Sequence, residues 1–370
     1  MKTIRLSKLP LPLPDRILLV GPPGVGKTEV VKQLAAKEAA LMNREFVDLR
    51  EADEVMLEKI VKQPERYYVY LRVLAPHIFP EDLGVPRSSS NTQHTNYVEF
   101  VPPKTLFILT LSGIAGLLFL DELSNVQRED QLAMYYSLIL EKEFGWGARL
   151  SSGVKIVAAA NDQEWSEIVR PLPKPLRNRL IIVKVTQPSV DEWLNYMYNV
   201  YGDEWERLIA TYLRVFPEDL LQPPEDDWEP FPTPRSWTQL AITLHKYRDA
   251  DEEFLEAVIL GTLGRRVGIK FATIYKQRKN IDELIDDVLK HPARFSELKI
   301  EDRILVVTYL SQQSVDVLKE KAEKLIAWMA ENAREWLVTM FAAFEPKKRM
   351  EAIRKLQSIK AVIDIIKGWK

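Results

Sequence analysis

The sequence predicts an α/β protein whose first half is a parallel sheet covered by helices and whose second half is entirely helical. Three observations support this fold class. Short aliphatic segments alternate with helical patterns as far as residue 188, which is typical of a parallel sheet. A glycine-rich loop separates the first of these segments from the first helical pattern. From about Val190 to Lys370, amphipathic helical patterns follow one another without further strand signals.

These patterns divide the chain into three expected regions. An α/β core should span residues 1–188 and contain an insert around residues 77–103. A helical lid domain should follow at residues 189–292, and a helical extension should occupy residues 293–370. The first boundary is expected near Pro188, where the strand signals end, and the second near Pro292, between the lid-sized helical region and the helical tail.

The composition is that of an ordinary globular protein. The 370 residues are 46% hydrophobic and 28% charged, with a formal net charge of -2, so the overall balance gives no reason to expect nucleic acid or an anionic membrane as a partner. Cysteine is absent, which excludes disulfides, thiolate catalysis and cysteine-bound metal. No apolar run reaches the roughly 18–20 residues of a membrane span. We therefore expect a cytoplasmic protein.

The elements of the core follow in order. The opening segment MKTIRLSKLPLPLPDR alternates leucine with proline and predicts an extended lead-in rather than a signal peptide. A buried strand, RILLVG, leads through the glycine-rich loop into a helix that begins at about Thr28. The next helix is predicted in EADEVMLEKIVKQ and the next strand in YYVYLRVL. Three later strands are predicted in GLLFLDE, VKIVAAAN and RLIIVKV, with helices between them.

One long segment of the core lacks any periodic pattern. From His77 to Pro103 the chain is polar and rich in proline, which predicts a long loop or a hairpin. Loops of this length inside a compact domain usually have a function.

The loop after the first strand matches the pattern G-x-x-x-x-G-K-T between a strand and a helix. Glycines let the backbone N–H groups point inward, and the following helix adds its positive end, so the loop should bind phosphate. Lys27 should reach the outer phosphates and the Thr28 hydroxyl should ligate magnesium. A strand-to-helix turn without a ligand is the alternative. The loop consists of Gly21, Pro22, Pro23, Gly24, Val25, Gly26, Lys27 and Thr28.

Polar residues also end two later strands of the predicted sheet. Asp121 and Glu122 follow GLLFL, at the strand end where open parallel sheets bind ligands. Asp121 is the candidate magnesium ligand, and Glu122 the candidate base for an attacking water. Asn161 ends IVAAA and can hydrogen-bond both a phosphate and a water. A solvated corner for the acids and a turn asparagine are the plainer alternatives.

Two arginine motifs are candidates for phosphate contacts. Arg177 and Arg179 precede the last strand, and an arginine presented to a neighbouring subunit could stabilise charge on a transferred phosphoryl group. For Arg177 we prefer an ordinary surface position. Arg235 lies in PTPRSW, where two prolines and the start of a helix fix its direction.

The four histidines give no indication of a metal site. The four histidines, His77, His94, His245 and His291, show no metal-ligand spacing with one another or with carboxylates. We interpret them as ordinary surface or loop residues.

Taken together, these motifs resemble the AAA+ ATPases, and more narrowly the MoxR-type branch with an insert in the second helix of the core. The resemblance extends from about Ile17 to at least Ala272, with a looser fit to the rest of the chain. The segments that carry it are GPPGVGKT, PEDLGVP, GLLFLDEL, KIVAAAND, PLPKPLRNRL, PTPRSW and GRRVGIKFA.

The resemblance implies a role for each candidate. Lys27 and Thr28 match the phosphate-loop pair of the family, and ATP with Mg2+ is the implied cofactor. Asp121 and Glu122 match its magnesium and water-activating acids, and Asn161 its first sensor. The resemblance further implies that Arg179 is the arginine finger. Arg235 is similar to the second sensor, acting on its own or on a neighbouring subunit's nucleotide.

The resemblance also implies a biological activity. Such proteins form homo-oligomeric rings, often hexamers, and remodel or mature protein partners, including proteins with a von Willebrand factor A domain. A nucleic-acid-stimulated motor or a restriction-like NTPase subunit is the alternative, because EPKKRMEAIRKLQSIK and GRRVGIKFATIYKQRK are basic. A scaffold that binds ATP and barely hydrolyses it is a third possibility, and the presence of Glu122 and Arg179 counts against it.

Overall fold

The computed structural model describes residues 2–90, 96–144, 148–162, 165, 172–224, 228–278 and 281–356. The chain divides into two compact units, Met1–Gln187 and Pro188–Lys370. The first unit combines a sheet with helices, and the described residues of the second form helices without a strand. This confirms the predicted fold class.

A wholly parallel sheet forms the middle of the first unit. Its seven described strands are β1 (Thr3–Arg5), β2 (Ile17–Val20), β3 (Glu45–Asp48), β4 (Tyr67–Leu74), β7 (Ala115–Asp121), β10 (Val154–Ala160) and β11 (Ile181–Thr186). They lie in the order β1-β11-β2-β10-β7-β4-β3. All seven residues of β7 are buried, as expected for a central strand covered on both faces.

The two edge strands, β1 and β3, are not predicted as strands from the sequence. The lead-in is predicted as extended, and its residues Thr3–Arg5 pair in parallel with β11. Glu45–Asp48 pairs with β4 and has no counterpart in the sequence prediction. These strands have only three and four residues, too few for a clear pattern of alternation.

Helices cover the sheet and two hairpins extend from it. The helices of this unit are α1 (Lys27–Leu41), α2 (Glu54–Lys62), α3 (Lys104–Ile108), α4 (Glu129–Glu141) and α5 (Lys174–Arg177). The hairpins are β5 (Val85–Ser90) with β6 (Asn96–Val101), and β8 (Glu143–Phe144) with β9 (Ala148–Arg149).

The segment between His77 and Pro103 therefore contains a hairpin, one of the two predicted forms. Its base is attached to α4 by side-chain hydrogen bonds. The Gln131 amide donates to the carbonyl groups of Pro76 and Ile78, at 3.0 and 2.9 Å. The buried Tyr135 hydroxyl donates to the Ala75 carbonyl at 2.9 Å. The insert thus begins from a fixed position on the core.

The second unit consists of helices around one hydrophobic core. That core includes residues from Val190 to Leu356 and continues across Pro292, so the boundary proposed there remains a prediction. The helices are α6 (Val190–Tyr201), α7 (Leu208–Val215), α8 (Pro234–Lys246), α9 (Glu252–Gln277), α10 (Asp282–Lys290), α11 (Ile300–Gln312), α12 (Val315–Lys321), α13 (Glu323–Asn332), α14 (Arg334–Ala342) and α15 (Pro346–Lys355).

Helix α9 is interrupted at Gly264. This residue has φ of 75°, and a side chain there would place a Cβ atom 2.2 Å from the Pro230 carbonyl oxygen. Only glycine accommodates both the backbone angle and the close approach. No helix in the described part of the chain has the length and apolar character that a membrane crossing requires.

Candidate nucleotide-binding site

The glycine-rich loop connects the carboxyl end of β2 to the first turn of α1. Gly24 and Gly26 have φ of 70° and 92°, a left-handed conformation that other residues rarely adopt. At Gly21 a Cβ atom would lie 2.3 Å from the Val185 carbonyl oxygen, because β11 passes directly beside the loop. The first N–H groups of α1 have no partner within the helix and are available to a ligand at this loop.

Lys27 connects the loop to the neighbouring strand. Its side chain is buried, and its ammonium group donates to the carbonyl oxygens of Gly21 and Pro22, each at 2.8 Å. It also donates to Oδ1 of Asn161 at 3.0 Å. Lys27 and Asn161 are 134 positions apart in the chain, and the parallel sheet brings them together because β2 and β10 are neighbours.

Thr28 and Asp121 form the second contact of the site. The Thr28 hydroxyl donates to Oδ2 of Asp121 at 2.9 Å. Asp121 is the last residue of β7 and is only 5% exposed. A hydroxyl and a carboxylate at this spacing are hard oxygen ligands of the kind that magnesium prefers.

Glu122 differs from Asp121 in exposure and in backbone conformation. It has a left-handed backbone with φ of 57°, which is uncommon for a residue other than glycine. Its side chain is exposed, and Oε2 accepts a hydrogen bond from the Asn125 amide at 3.3 Å. The turn therefore buries one acid and leaves the next one accessible to water.

Asn161 is held from both sides at the end of β10. Its side chain accepts from Lys27, and its backbone N–H donates to the Ser124 hydroxyl at 3.3 Å. Ser124 is buried and lies three residues after Asp121. The structure thus brings five predicted side chains to one edge of the sheet: Lys27, Thr28, Asp121, Glu122 and Asn161.

Residues 17–185 match the model of the ATPase family associated with various cellular activities, AAA. This part of the chain is an AAA domain. It begins with β2 and ends within β11, so it contains the loop and all five of these side chains. The comparison with curated proteins finds no match to the chain.

Among solved structures, the chain is similar to the crystal structure of NtrX from Brucella abortus. The sequences are 15% identical, and the TM-score is 0.36. The similarity covers 85% of this chain and 65% of the NtrX chain.

The AAA domain contains one site residue that the sequence does not predict. Arg72 of β4 donates to Oδ2 of Asp121 from Nε at 2.9 Å and from Nη2 at 2.7 Å. The signal for it is an arginine within the otherwise uncharged strand YYVYLRVL. A charged side chain in a buried strand requires a partner, and the neighbouring strand β7 supplies it.

Arg179 lies at the opposite edge of the same sheet. It precedes β11, whose first residue Ile181 pairs in parallel with Ile17, the first residue of β2. Arg179 is therefore at the amino end of these strands, whereas the loop is at their carboxyl end. Both Arg177 and Arg179 are exposed.

Arg235 belongs to the helical unit, and its neighbours explain most of the motif PTPRSW. Thr233 caps α8 by accepting from the Ser236 N–H at 3.0 Å. Trp237 is fully buried and donates from Nε1 to the Asp219 carbonyl at 2.8 Å. Arg235 itself is exposed in the first turn of the helix. The cap, the prolines and the tryptophan therefore fix the direction of a side chain that points to solvent.

The histidine prediction is only partly covered by the structure. Within the described residues, no group of three or more histidine, aspartate and glutamate side chains could hold a metal ion. His94 lies outside the described residues.

The AAA domain fits a nucleoside triphosphate with magnesium. The Cα of Gly26 faces open space, since no atom lies within 4 Å of where its Cβ would be. Backbone N–H groups at the start of α1 and the Lys27 ammonium supply donors for phosphate oxygens. The oxygens of Thr28 and Asp121 are of the kind that would hold such a metal or its bound water.

Proposed function

We propose that this chain hydrolyses ATP, assembles into a ring of identical subunits, and uses the energy to remodel protein partners, as MoxR-type AAA+ ATPases do. The observation that carries the proposal is the group of Lys27, Thr28, Asp121, Glu122 and Asn161 at one sheet edge of an AAA domain. These side chains supply a phosphate-binding cation, metal ligands, a base and a polar sensor.

Binding of the phosphates falls to the loop and to Lys27. The N–H groups at the start of α1 and the Lys27 ammonium offset the negative charge of the phosphate chain. In the structure this ammonium is bonded to two loop carbonyls and to Asn161, so it is already directed towards the site. Thr28 and Asp121 would hold magnesium, which neutralises charge on the phosphates when bound.

Glu122 is the side chain best placed to orient and deprotonate the attacking water. It is exposed next to a buried aspartate, so water can reach it while Asp121 remains available to the metal. A positioned general base typically contributes about 10²–10⁴-fold to a rate. Asn161 can donate to the terminal phosphate without the repulsion that a carboxylate would cause.

The position of Arg179 supports assembly into a ring. Because it lies at the amino end of the strands, it cannot serve the loop at the carboxyl end of the same sheet. An exposed arginine at that edge is suited to reach the nucleotide of an adjacent subunit. A closed ring lets every subunit both receive and supply such an arginine, and the hexameric number follows the MoxR resemblance.

Arg235 completes the proposed set as a second sensor. The Thr233 cap and the buried Trp237 hold the start of α8 rigidly, so the exposed arginine has a defined direction. In a ring it would contact phosphates of its own or of the neighbouring subunit's nucleotide. Its contribution would make the position of the helical unit depend on the nucleotide.

The charge pairing of the helical unit favours a protein partner over nucleic acid. In the basic stretch around α9, Lys270 pairs with the buried Asp219 at 2.9 Å, and the exposed Arg265 pairs with Glu229 at 2.9 Å. In α15, Lys348 donates to the Ser311 carbonyl. Basic side chains engaged within the fold are less available to a phosphate backbone. We propose a cytoplasmic protein with a protein client, and the MoxR resemblance suggests a client with a von Willebrand factor A domain.

ATP hydrolysis by the purified full-length chain tests this proposal, with light scattering for mass and with single-stranded or duplex DNA as additives. We expect assembly in ATP, slow turnover, and no response to DNA. Strong stimulation by DNA that declines with salt would instead support the nucleic-acid motor. Absence of both ATP binding and turnover would refute the proposal.

A mixing experiment tests the role of Arg179. We expect Arg179→Ala to lower turnover by roughly 10³-fold, the scale of an arginine finger. Mixing it with a Lys27→Ala variant should restore part of the activity, since each protein supplies the half-site that the other lacks. Arg177→Ala, two residues away and equally exposed, is the matched control and should retain activity. Mixed rings without any recovery would contradict a finger that acts between subunits.

A further inference from the structure

Arg72 and Thr28 share one oxygen of Asp121. The guanidinium of Arg72 makes two contacts with Oδ2, at 2.7 and 2.9 Å, and the Thr28 hydroxyl makes a third at 2.9 Å. The other oxygen, Oδ1, accepts from the Glu122 N–H at 3.1 Å. A carboxylate offers about four lone-pair directions, two on each oxygen, so three donors occupy Oδ2 fully while Oδ1 keeps one direction open.

A metal ion or its bound water must therefore replace a donor at Oδ2 or use the open direction of Oδ1, beside the Arg72 guanidinium. Thr28 can turn its own oxygen towards the metal, because a hydroxyl is a ligand as well as a donor. The Glu122 N–H is fixed by the backbone. Arg72 differs from both. Its side chain is not fixed by the backbone, and it cannot ligate the metal, because a guanidinium has no acceptor and carries a positive charge.

The two partners of this ion pair also differ in freedom. The side chain of Asp121 is 8% exposed and lies at the end of a central strand, whereas that of Arg72 is 29% exposed. Arg72 can therefore move towards water, but Asp121 cannot leave the site. The guanidinium of Arg72, which can move, thus occupies the carboxylate that a divalent cation would need.

We propose that Arg72 competes with Mg2+ for Asp121 and so sets the Mg2+ concentration at which the site binds nucleotide with its metal. This inference rests on the proposed function, because it assumes that the loop binds a nucleotide. Magnesium with its nucleotide must displace the guanidinium from Oδ2 or bind at Oδ1 against its positive charge. Either free-energy cost raises the Mg2+ requirement of the site.

Binding of a fluorescent ATP analogue, titrated with free Mg2+, tests the proposal on the full-length chain. We expect Arg72→Gln to reach half of its Mg2+-dependent binding at a free Mg2+ concentration about 3- to 10-fold lower than wild type, as expected for removal of a competing like charge. Arg72→Lys keeps the charge but not the two-pronged contact, and should give an intermediate value. Arg149→Gln removes an arginine paired with Glu143 elsewhere in the domain and should match wild type.

Thermal unfolding without nucleotide gives a second readout. If Arg72 competes with the metal, Mg2+ alone should stabilise Arg72→Gln more than wild type, because Asp121 is then free to hold it. An unchanged or higher Mg2+ requirement in Arg72→Gln would overturn the proposal. Arg72 would then only hold Asp121 in place, or would favour metal binding. Lack of analogue binding by the wild type at any Mg2+ concentration would refute the proposed function instead.

Discussion

The α/β unit and the helical unit each bury an aspartate beside a basic side chain. In the first, Asp121 is 5% exposed and accepts from Arg72 at 2.7 Å. In the second, Asp219 is 3% exposed and accepts from Lys270 at 2.9 Å. By burial and charge alone, the two pairs are almost the same.

The two ion pairs differ in the groups that surround them. Asp121 ends a strand, next to the exposed Glu122 and within 2.9 Å of the phosphate loop at Thr28. Asp219 accepts from the Tyr212 hydroxyl at 2.6 Å, and its carbonyl accepts from Trp237, the buried anchor of α8.

The comparison shows that a buried ion pair is not by itself a sign of chemistry. At the open edge of a parallel sheet, buried and exposed polar groups converge from distant parts of the chain, and a ligand can reach them. Inside a helical core, the same kind of pair satisfies buried donors, beside a backbone carbonyl that accepts from the tryptophan at the start of a helix. Variants at the α/β site should therefore change the rate of hydrolysis, and variants at Asp219 should change the stability of the fold.

The largest expected effect is on turnover in the α/β unit. Glu122→Gln should lower ATP turnover by about 10²–10⁴-fold, the usual contribution of a general base. Because Glu122 is exposed, the free energy of unfolding should change little. Steady-state hydrolysis and denaturant unfolding of the same preparation measure both quantities.

Lys27→Ala is the matched comparison for that variant. It removes the phosphate-binding ammonium, so it should lose nucleotide binding, whereas Glu122→Gln should bind ATP and fail to hydrolyse it. Turnover of Glu122→Gln within a few-fold of wild type would contradict the assignment of the base.

The next effect is on stability in the helical unit. Asp219→Ala removes the acceptor of Tyr212, Gln222 and Lys270, and should lower the free energy of unfolding by about 2–4 kcal/mol. Burial raises the pKa of Tyr212, so its hydroxyl stays a donor that needs this acceptor. Denaturant unfolding measures the loss.

Asp203 provides the control in the same unit. It also pairs with an arginine, Arg207, but its side chain is 84% exposed. Asp203→Ala should therefore cost less than about 1 kcal/mol. Equal losses for the two aspartates would show that burial does not distinguish them.

The sequence predicts the fold and the five converging side chains because each depends on a local pattern. GPPGVGKT, the acids after GLLFL and the asparagine after IVAAA all lie at strand ends, and parallel strands place their carboxyl ends at one edge. Arg72 and Asp219 are different. The role of Arg72 depends on β4 being adjacent to β7, and the role of Asp219 depends on its turn packing against α8. Neither contact can be predicted from a local sequence pattern.

The smallest expected effect is a pH response in the helical unit. Lys348 donates to the Ser311 carbonyl and lies 4.6 Å from the centre of the Phe344 ring. Burial lowers the pKa of Lys348 to about 8 from an ordinary value of 10.5, and Arg207 acts in the same direction. Asp203, Glu345 and Glu351 oppose this shift without reversing it.

The sign of the response follows from proton linkage. Between about pH 8 and 10.5, Lys348 is more protonated in the unfolded chain than in the folded one. The free energy of unfolding therefore gains a contribution that increases with pH across this window. We expect about 1–2 kcal/mol, reduced from the full value because solvent screens a partly exposed group.

Denaturant unfolding of wild type and Lys348→Met at several pH values between 7.5 and 10.5 isolates this contribution. The difference between the two proteins should grow in favour of wild type as the pH rises, since only wild type can shed the buried charge. Lys347→Met, on the same helix and exposed, controls for the loss of one lysine. Parallel curves for wild type and Lys348→Met would mean that the lysine remains charged and hydrated in the fold.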